Sequence, residues 1–150
     1  IADVAGQDRL AHPGEVGRRA PVSAAGVASA ARVVCDGQAR AVVSNSGCAN
    51  ACTGPQGMAD ATEMAALTAT ALGVAPHEVL VASTGVIGVN LKMPALRAGI
   101  PRAVAALSPD GGADAAVAIM TTDPFPKSAA VEVTTPAGTF RVGGMTKGSG

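Results

Sequence analysis

The sequence predicts an α/β domain, and three observations carry that reading. Two apolar runs of strand length, Ala39 to Ser44 and Val79 to Ala82, are rich in β-formers and flank a helical stripe between Thr53 and Gly73. A second helical stretch follows from Met93 to Leu107. Alternation of period two then returns near the end of the chain, where Val131 and Val133 interleave with Glu132 and Thr134.

Composition bounds the function. The chain has 150 residues, enough to bury a core, with one domain as the default expectation. Formal net charge is zero and no basic run is present, so the electrostatic footprint of a nucleic-acid partner is missing. No apolar stretch reaches the roughly 18 to 20 residues of a spanning helix, and the N-terminus lacks a charged segment leading into an apolar one. The expectation is a soluble, cytoplasmic protein with no membrane partner. Its core must be built from Ala, Val, Leu, Ile and Met, because the aromatic residues are Phe125 and Phe140 and 19 residues are glycine. Small side chains favour closely approaching elements.

In chain order, Ile1 to Arg19 show no clear period, Pro21 to Val34 is rich in Ala and Val, and Asp36-Gly37 is a turn. The strand at Ala39 to Ser44 then leads into Asn45-Ser46-Gly47-Cys48-Ala49-Asn50-Ala51-Cys52-Thr53-Gly54, read as a polar loop that can offer amide donors, amide acceptors and special backbone angles. Cys35, Cys48 and Cys52 are an odd number of thiols with no secretion signal, which argues for reduced, buried cysteines. Cys48 and Cys52 have helical ligand spacing, but the loop composition around them argues against a metal site, and His12 and His77 stand in no ligand-like cluster.

Thr53 is a candidate cap and Pro55 an early helical position, with Gly57 a feature that can delay the start. Ala61, Met64, Leu67 or Thr68, Ala71 and Leu72 mark the apolar face, and Gly73 ends the helix. Pro76-His77-Glu78 turns the chain into Val79-Leu80-Val81-Ala82-Ser83-Thr84-Gly85-Val86-Ile87-Gly88, with His77 at the surface beside the strand entrance. The strand alternates little and is expected to be buried on both faces. Its Ser-Thr-Gly end can deliver backbone N–H groups and a hydroxyl to a pocket, the material of an oxyanion hole, although Ser-Thr-Gly after a strand is more often an ordinary turn.

From Met93 to Leu107, Gly99 and Pro101 predict two short helices, the second with Ile100, Val104 and Leu107 on one face. Ser108 to Gly112 is a turn and Ala113 to Met120 another short helix. In Thr121-Thr122-Asp123-Pro124-Phe125-Pro126-Lys127 two prolines keep the chain extended, which can present Asp123 and the hydroxyls rather than bury them, with a solvated linker as the competing account. A hairpin follows, turning at Thr135-Pro136-Ala137-Gly138, with Phe140 and Val142 returning on the apolar face and Glu132 opposite Arg141. The finish, Gly143-Gly144-Met145-Thr146-Lys147-Gly148-Ser149-Gly150, sets one lysine among glycines without the spacing of a P-loop.

Four of these segments, in this order, resemble the ornithine acetyltransferase family, the bifunctional-type glutamate N-acetyltransferases of arginine biosynthesis. They are Asn45 to Gly54, Ala82 to Gly88, Ala118 to Asp123 with Pro126-Lys127, and Gly143 to Gly150. The resemblance divides the chain into a poorly matched part, 1–38, and the main part of an alpha-chain domain, 39–150, that stops before an expected self-cleavage site. It implies a layered α-β-β-α sandwich completed by a beta chain from the same precursor, in an assembly of two alpha and two beta chains or larger. It further implies transfer of acetyl from N-acetylornithine to glutamate through an acetyl-threonine on the beta chain, with acetyl-CoA a second candidate donor and no cofactor. By the same resemblance Thr84 and Gly85 form the oxyanion hole and Thr121 and Lys147 bind substrate, the lysine suiting an α-carboxylate. Asn45 and Ser149 lie near the motifs with no role assigned, and Cys48 stands where the family pattern has asparagine. Two other readings compete: a self-processing N-terminal-nucleophile amidase or aminopeptidase, told apart by water as acyl acceptor, and a non-catalytic binding or structural subunit.

Overall fold

The computed structural model describes residues 39–148, so the readings over Ile1 to Asp36-Gly37, including His12 and Cys35, lie outside the described residues, as does Ser149. Strand β1 spans Ala41–Cys48 and helix α1 Gly54–Leu72. A 3-10 turn at Pro76–Glu78 leads into β2, Val79–Val86. Helices α2, Met93–Ala105, and α3, Gly112–Ala118, follow. The hairpin strands are β3, Lys127–Thr135, and β4, Gly138–Thr146.

β1 and β2 pair in parallel, from Ala41 opposite Val79 to Cys48 opposite Val86, with α1 as the crossover a parallel pair requires. Both strands run further than their sequence suggests. Asn45 to Cys48, expected as loop, lie opposite Ser83 to Val86, expected as turn. Each segment looks irregular alone; the ladder between them supplies the backbone partners, and pairing overrides weak strand propensity.

The loops beyond stay tied together, because the Ala49 N–H donates to the Val86 carbonyl at 2.9 Å and the Gly88 N–H to the Ala51 carbonyl at 2.9 Å. Helix α1 starts at Gly54 with Pro55 in its first turn, so Gly57 does not delay it. Thr53 stands at the cap, but its hydroxyl donates to Asn50 Oδ1 at 2.7 Å instead of accepting from the helix. Gly73 closes the helix in the left-handed conformation, as expected.

The core lies between the strands and α1 and α2. Val79 and Val81 from β2 and Ala41 from β1 pack with Ala61, Met64, Ala65 and Ala69 from α1, and with Leu91, Met93 and Ile100 from the α2 region. Met64 is fully buried. Along β2, Val79 and Val81 are buried while Leu80 is half-buried and Ala82 exposed, so burial alternates and the expected burial on both faces is corrected. The face toward the helices is the packed one.

α2 is one helix, not two, with Pro101 inside it. Proline in a helix interior costs roughly 3 kcal/mol. Burial of Met93 at the start of the helix and of Ile100 just before the proline offsets that cost, each contributing about 2 kcal/mol, and Arg97 is paired with Glu63 of α1 at 2.5 Å.

The hairpin has the expected register, with Glu132 opposite Arg141 and Val131 and Val133 opposite Val142 and Phe140. Thr135 pairs with Gly138, so Pro136-Ala137 is the connection. β4 continues through Gly143-Gly144-Met145-Thr146, which makes that glycine-rich stretch a strand. Its apolar face is open: Val131, Phe140 and Val142 are each more than half exposed.

Candidate functional site

The carboxyl ends of parallel strands are where open α/β sheets present ligand sites. Here β1 delivers Ser46 and Gly47 and β2 delivers Thr84, Gly85 and Val86 to one edge. Met120, Thr121 and Thr122, after α3, face them, and Lys147 arrives from the end of β4. Together these residues line an open cleft of about 660 Å³.

Gly85 is required at its position. It has φ +129°, and a Cβ built there would lie 2.3 Å from the Gly47 carbonyl carbon. Only a residue without a side chain lets the two backbones meet at the cleft wall.

Lys147 joins three segments. Its ammonium donates to Thr84 Oγ1 at 2.9 Å and to Thr121 Oγ1 at 2.6 Å, and it stands 3.6 Å from Asp123 Oδ2. An ammonium only donates, so both hydroxyl oxygens are acceptors and each keeps its own O–H hydrogen for another partner. A hydroxyl polarised by a cation beside an exposed glycine backbone is suited to a developing negative charge.

Asp123 lies beneath this group with its side chain 1% exposed, which corrects the expectation that it is presented to solvent. Oδ2 accepts the Thr121 N–H at 3.1 Å, and Oδ1 accepts the Gly148 N–H and the Lys127 ammonium. The hydrogen bond from Gly148, then that from Thr121, then Lys127 and the charge of Lys147 hold its carboxyl far below the usual range, against the opposing effect of burial. The extended segment folds in because two backbone N–H groups and two ammoniums satisfy a charge that would otherwise stay in water. Lys127 also donates to the Gly148 carbonyl and sits 5.0 Å from the Phe125 ring centroid.

Thr84, Gly85, Thr121 and Lys147, chosen from sequence, therefore all line one cleft, and Lys147 touches both threonines. Asn45 does not line it: its Nδ2 donates to the Cys48 carbonyl at 2.9 Å and its Oδ1 is buried without a partner among the described residues. His77 is exposed in the turn before β2, as expected. Of the thiols expected to be buried, Cys48 is half-buried against the core but Cys52 is exposed, in a positive-φ loop position. Among the described residues no three His, Cys, Asp or Glu side chains gather as metal ligands. Sequence reasoning missed Asp123 and Lys127 as partners of the site. A signal was present, since an aspartate beside Thr-Thr in a proline-bounded segment can accept nearby backbone N–H groups, and Lys127 lies four residues on.

A parallel βαβ unit with hydroxyls, glycine backbone and one lysine gathered at its strand ends defines an α/β protein with its polar cleft where open α/β sheets present ligand sites. Residues 7–150 match the model of the ArgJ family, and the chain belongs to that family. It is 57% identical over 143 residues to the arginine biosynthesis bifunctional protein ArgJ of Symbiobacterium thermophilum, an alignment covering 88% of this chain and 36% of that protein. To the ArgJ of a Synechococcus species it is 58% identical over 112 residues, covering 75% of this chain and 27% of that protein. The chain thus spans between a quarter and two-fifths of the length of these curated relatives.

Among solved structures it is similar to ArgJ from Bacillus halodurans, with TM-score 0.74, 32% identity and coverage of 99% of this chain and 74% of that one. It is likewise similar to the ornithine acetyltransferase of Mycobacterium tuberculosis complexed with ornithine, with TM-score 0.72, 37% identity and coverage of 100% and 74%. The expected α/β fold class is the one these structures share with the chain. Among the described residues no helix is long and apolar enough to cross a membrane.

Proposed function

We propose that this chain is the alpha portion of a cytoplasmic ornithine acetyltransferase, moving acetyl from N2-acetyl-L-ornithine to L-glutamate in the cyclic route of arginine biosynthesis. The observation that carries the reading is the Lys147 ammonium held between Thr84 and Thr121 at the mouth of a glycine-walled cleft. A lysine flanked by hydroxyls is matched to the α-carboxylate of an amino acid, and the Thr84 hydroxyl with the Gly85 backbone is matched to a carbonyl oxygen gaining charge.

The nucleophile is the N-terminal threonine of a beta chain released from the same precursor, and its own α-amine is the general base. Its hydroxyl adds to the acetyl carbonyl and the amine takes the hydroxyl proton. Thr84 and Gly85 stabilise the resulting oxyanion. Collapse breaks the amide C–N bond, the proton passes to the departing ornithine nitrogen, and acetyl stays on the threonine oxygen. The glutamate amine then attacks that ester and leaves as N-acetylglutamate, restoring the hydroxyl. Alpha and beta chains assemble as two of each or more.

The test uses the full-length protein, with N-terminal sequencing of each polypeptide and intact mass after mixing with N-acetylornithine. The expected result is a second chain that begins with threonine and gains one acetyl group, which glutamate removes. Acetyl transfer that requires both substrates bound together and leaves no acetylated chain would overturn the mechanism; hydrolysis with water as acceptor would reassign the protein to the amidase class.

A further inference from the structure

Gly148 is held by both of its main-chain groups. Its N–H donates to Asp123 Oδ1 and its carbonyl accepts from Lys127 Nζ, while Lys127 and Asp123 are themselves paired at 3.2 Å. The other carboxylate oxygen, Oδ2, accepts the Thr121 N–H at 3.1 Å and faces the Lys147 ammonium at 3.6 Å. One buried carboxylate thus fixes the residue that follows Lys147 in the chain and the backbone of Thr121, whose hydroxyl receives the Lys147 ammonium. A lysine side chain is long and flexible, with about 2 kcal/mol of rotamer entropy, so its head group is placed well only if its base and its partners are placed.

We propose that Asp123 and Lys127 are positioning residues that clamp Gly148 and so set where the Lys147 ammonium meets a substrate carboxylate, a role that rests on the reading of the cleft given above. Neither residue lines the cleft. Their effect reaches it through Lys147 and Thr121. The charge arrangement supports the assignment: Lys127 and Lys147, each about a quarter exposed, approach the same buried carboxylate from its two oxygens, so that anion is the charge the two ammoniums share. The chemistry of the amide makes Asp123→Asn informative. Asparagine offers one acceptor oxygen and one NH2 donor, so one of the two sides now occupied by donors meets another donor, and either the Gly148 and Lys127 side or the Thr121 and Lys147 side is lost.

The experiment compares full-length wild type with Asp123→Asn, Lys127→Met and Lys127→Arg. It reads kcat and KM for N-acetylornithine and glutamate, together with amide hydrogen exchange at Gly148 and a thermal melt. Lys127→Met is the second route should Asp123→Asn fail to fold. Expected are a rise in KM of about 10-fold or more with kcat changed less than about 3-fold in Asp123→Asn and Lys127→Met, and recovery to within about 3-fold in Lys127→Arg, whose guanidinium can still bridge Asp123 and the Gly148 carbonyl. Gly148 exchange should quicken at least about 10-fold in Asp123→Asn and Lys127→Met. Unchanged KM, equal losses in kcat and KM, or Lys127→Arg no better than Lys127→Met would each overturn the positioning role. Wild type that transfers no acetyl would overturn the functional reading alone, and the clamp would then be decided by the exchange at Gly148, where unchanged rates sink it.

Discussion

Between β1 and α2 the buried residues are mostly apolar, with Met64 and Val79 fully enclosed, whereas beyond α3 the described residues bury Asp123 and Met145 and leave Val131, Phe140 and Val142 more than half exposed. The first region is positioned by packing. The second is tied together by polar contacts that converge on Asp123 and Lys147, and the Lys147 ammonium reaches the first region at Thr84. The cleft lies on the seam between them, so it borrows rigidity from one side and charge placement from the other. Substitutions in the packed region should change stability more than site chemistry, and substitutions at the polar seam should do the reverse.

The largest expected effect comes where both demands fall on one residue. Gly85→Ala combines strain at φ +129° with a Cβ driven against the Gly47 backbone at 2.3 Å. Strain of about 1–3 kcal/mol and overpacking of about 1–3 kcal/mol place the loss near ~4 kcal/mol in urea unfolding of the full-length protein. A loss below about 1 kcal/mol would mean that the two strands can part at the cleft wall without cost. Met64→Ala tests the packed side alone: about 3 kcal/mol of stability should go, with KM unchanged in the fraction that remains folded. Thr84→Val tests the seam alone, lowering turnover about tenfold to a thousandfold with the melting temperature little changed. Normal turnover in correctly processed protein would remove Thr84 from the chemistry.

The same division explains what could be read from the residues. The α1 stripe through Ala61, Met64 and Thr68, its stop at Gly73 and the hairpin register were legible because periodicity and turn chemistry are local signals, although Ala71, expected on that stripe, is exposed and Ala65 and Ala69 are buried in its place. The full lengths of β1 and β2 were not, since Asn45 to Cys48 and Ser83 to Val86 become strand only by pairing with each other. Pro101 predicts a break that tertiary burial of Met93 and Ile100 overrides. Thr84 and Gly85 were signalled by a strand running into a hydroxyl-and-glycine turn, Thr121 and Lys147 only by the resemblance to four ordered motifs, and the structure sets all four around one cleft. Asp123 was misjudged because two of its four partners, Gly148 and Lys147, are over twenty residues away, and the local signal from Thr121 and Lys127 does not announce that distant donors will complete the set and make burial of the carboxylate favourable.

Acid should separate the two regions. The native contacts hold the Asp123 carboxyl far below the usual range, whereas in the unfolded chain it titrates at its ordinary value of about 3.9. A depressed folded value means that the unfolded state takes up protons first as pH falls. The stabilisation is therefore complete above about pH 4, declines below it, and disappears once the folded carboxyl is protonated too. The polar seam should loosen in that window, with faster exchange at Gly148, while amides of α1 stay protected; Asp123→Asn should flatten the wild-type loss of stability below pH 4. Parallel acid curves for the two proteins would show that Asp123 is not the group responsible.

The smallest effect marks where polar contacts cease to matter. Arg141 donates to Glu132 at 2.9 Å across the hairpin, a shorter distance than either ammonium contact to Asp123, yet the two side chains are 83% and 53% exposed. Water already solvates both charges there, and holding two long side chains in one geometry costs entropy. Arg141→Ala should therefore lower stability by only about 0.2–0.5 kcal/mol, less still at high salt, with kcat and KM unchanged. The contrast with Asp123 then rests on burial and convergence rather than distance, and a loss at Arg141 above about 1 kcal/mol would show that the hairpin's outer face is covered in the full-length protein.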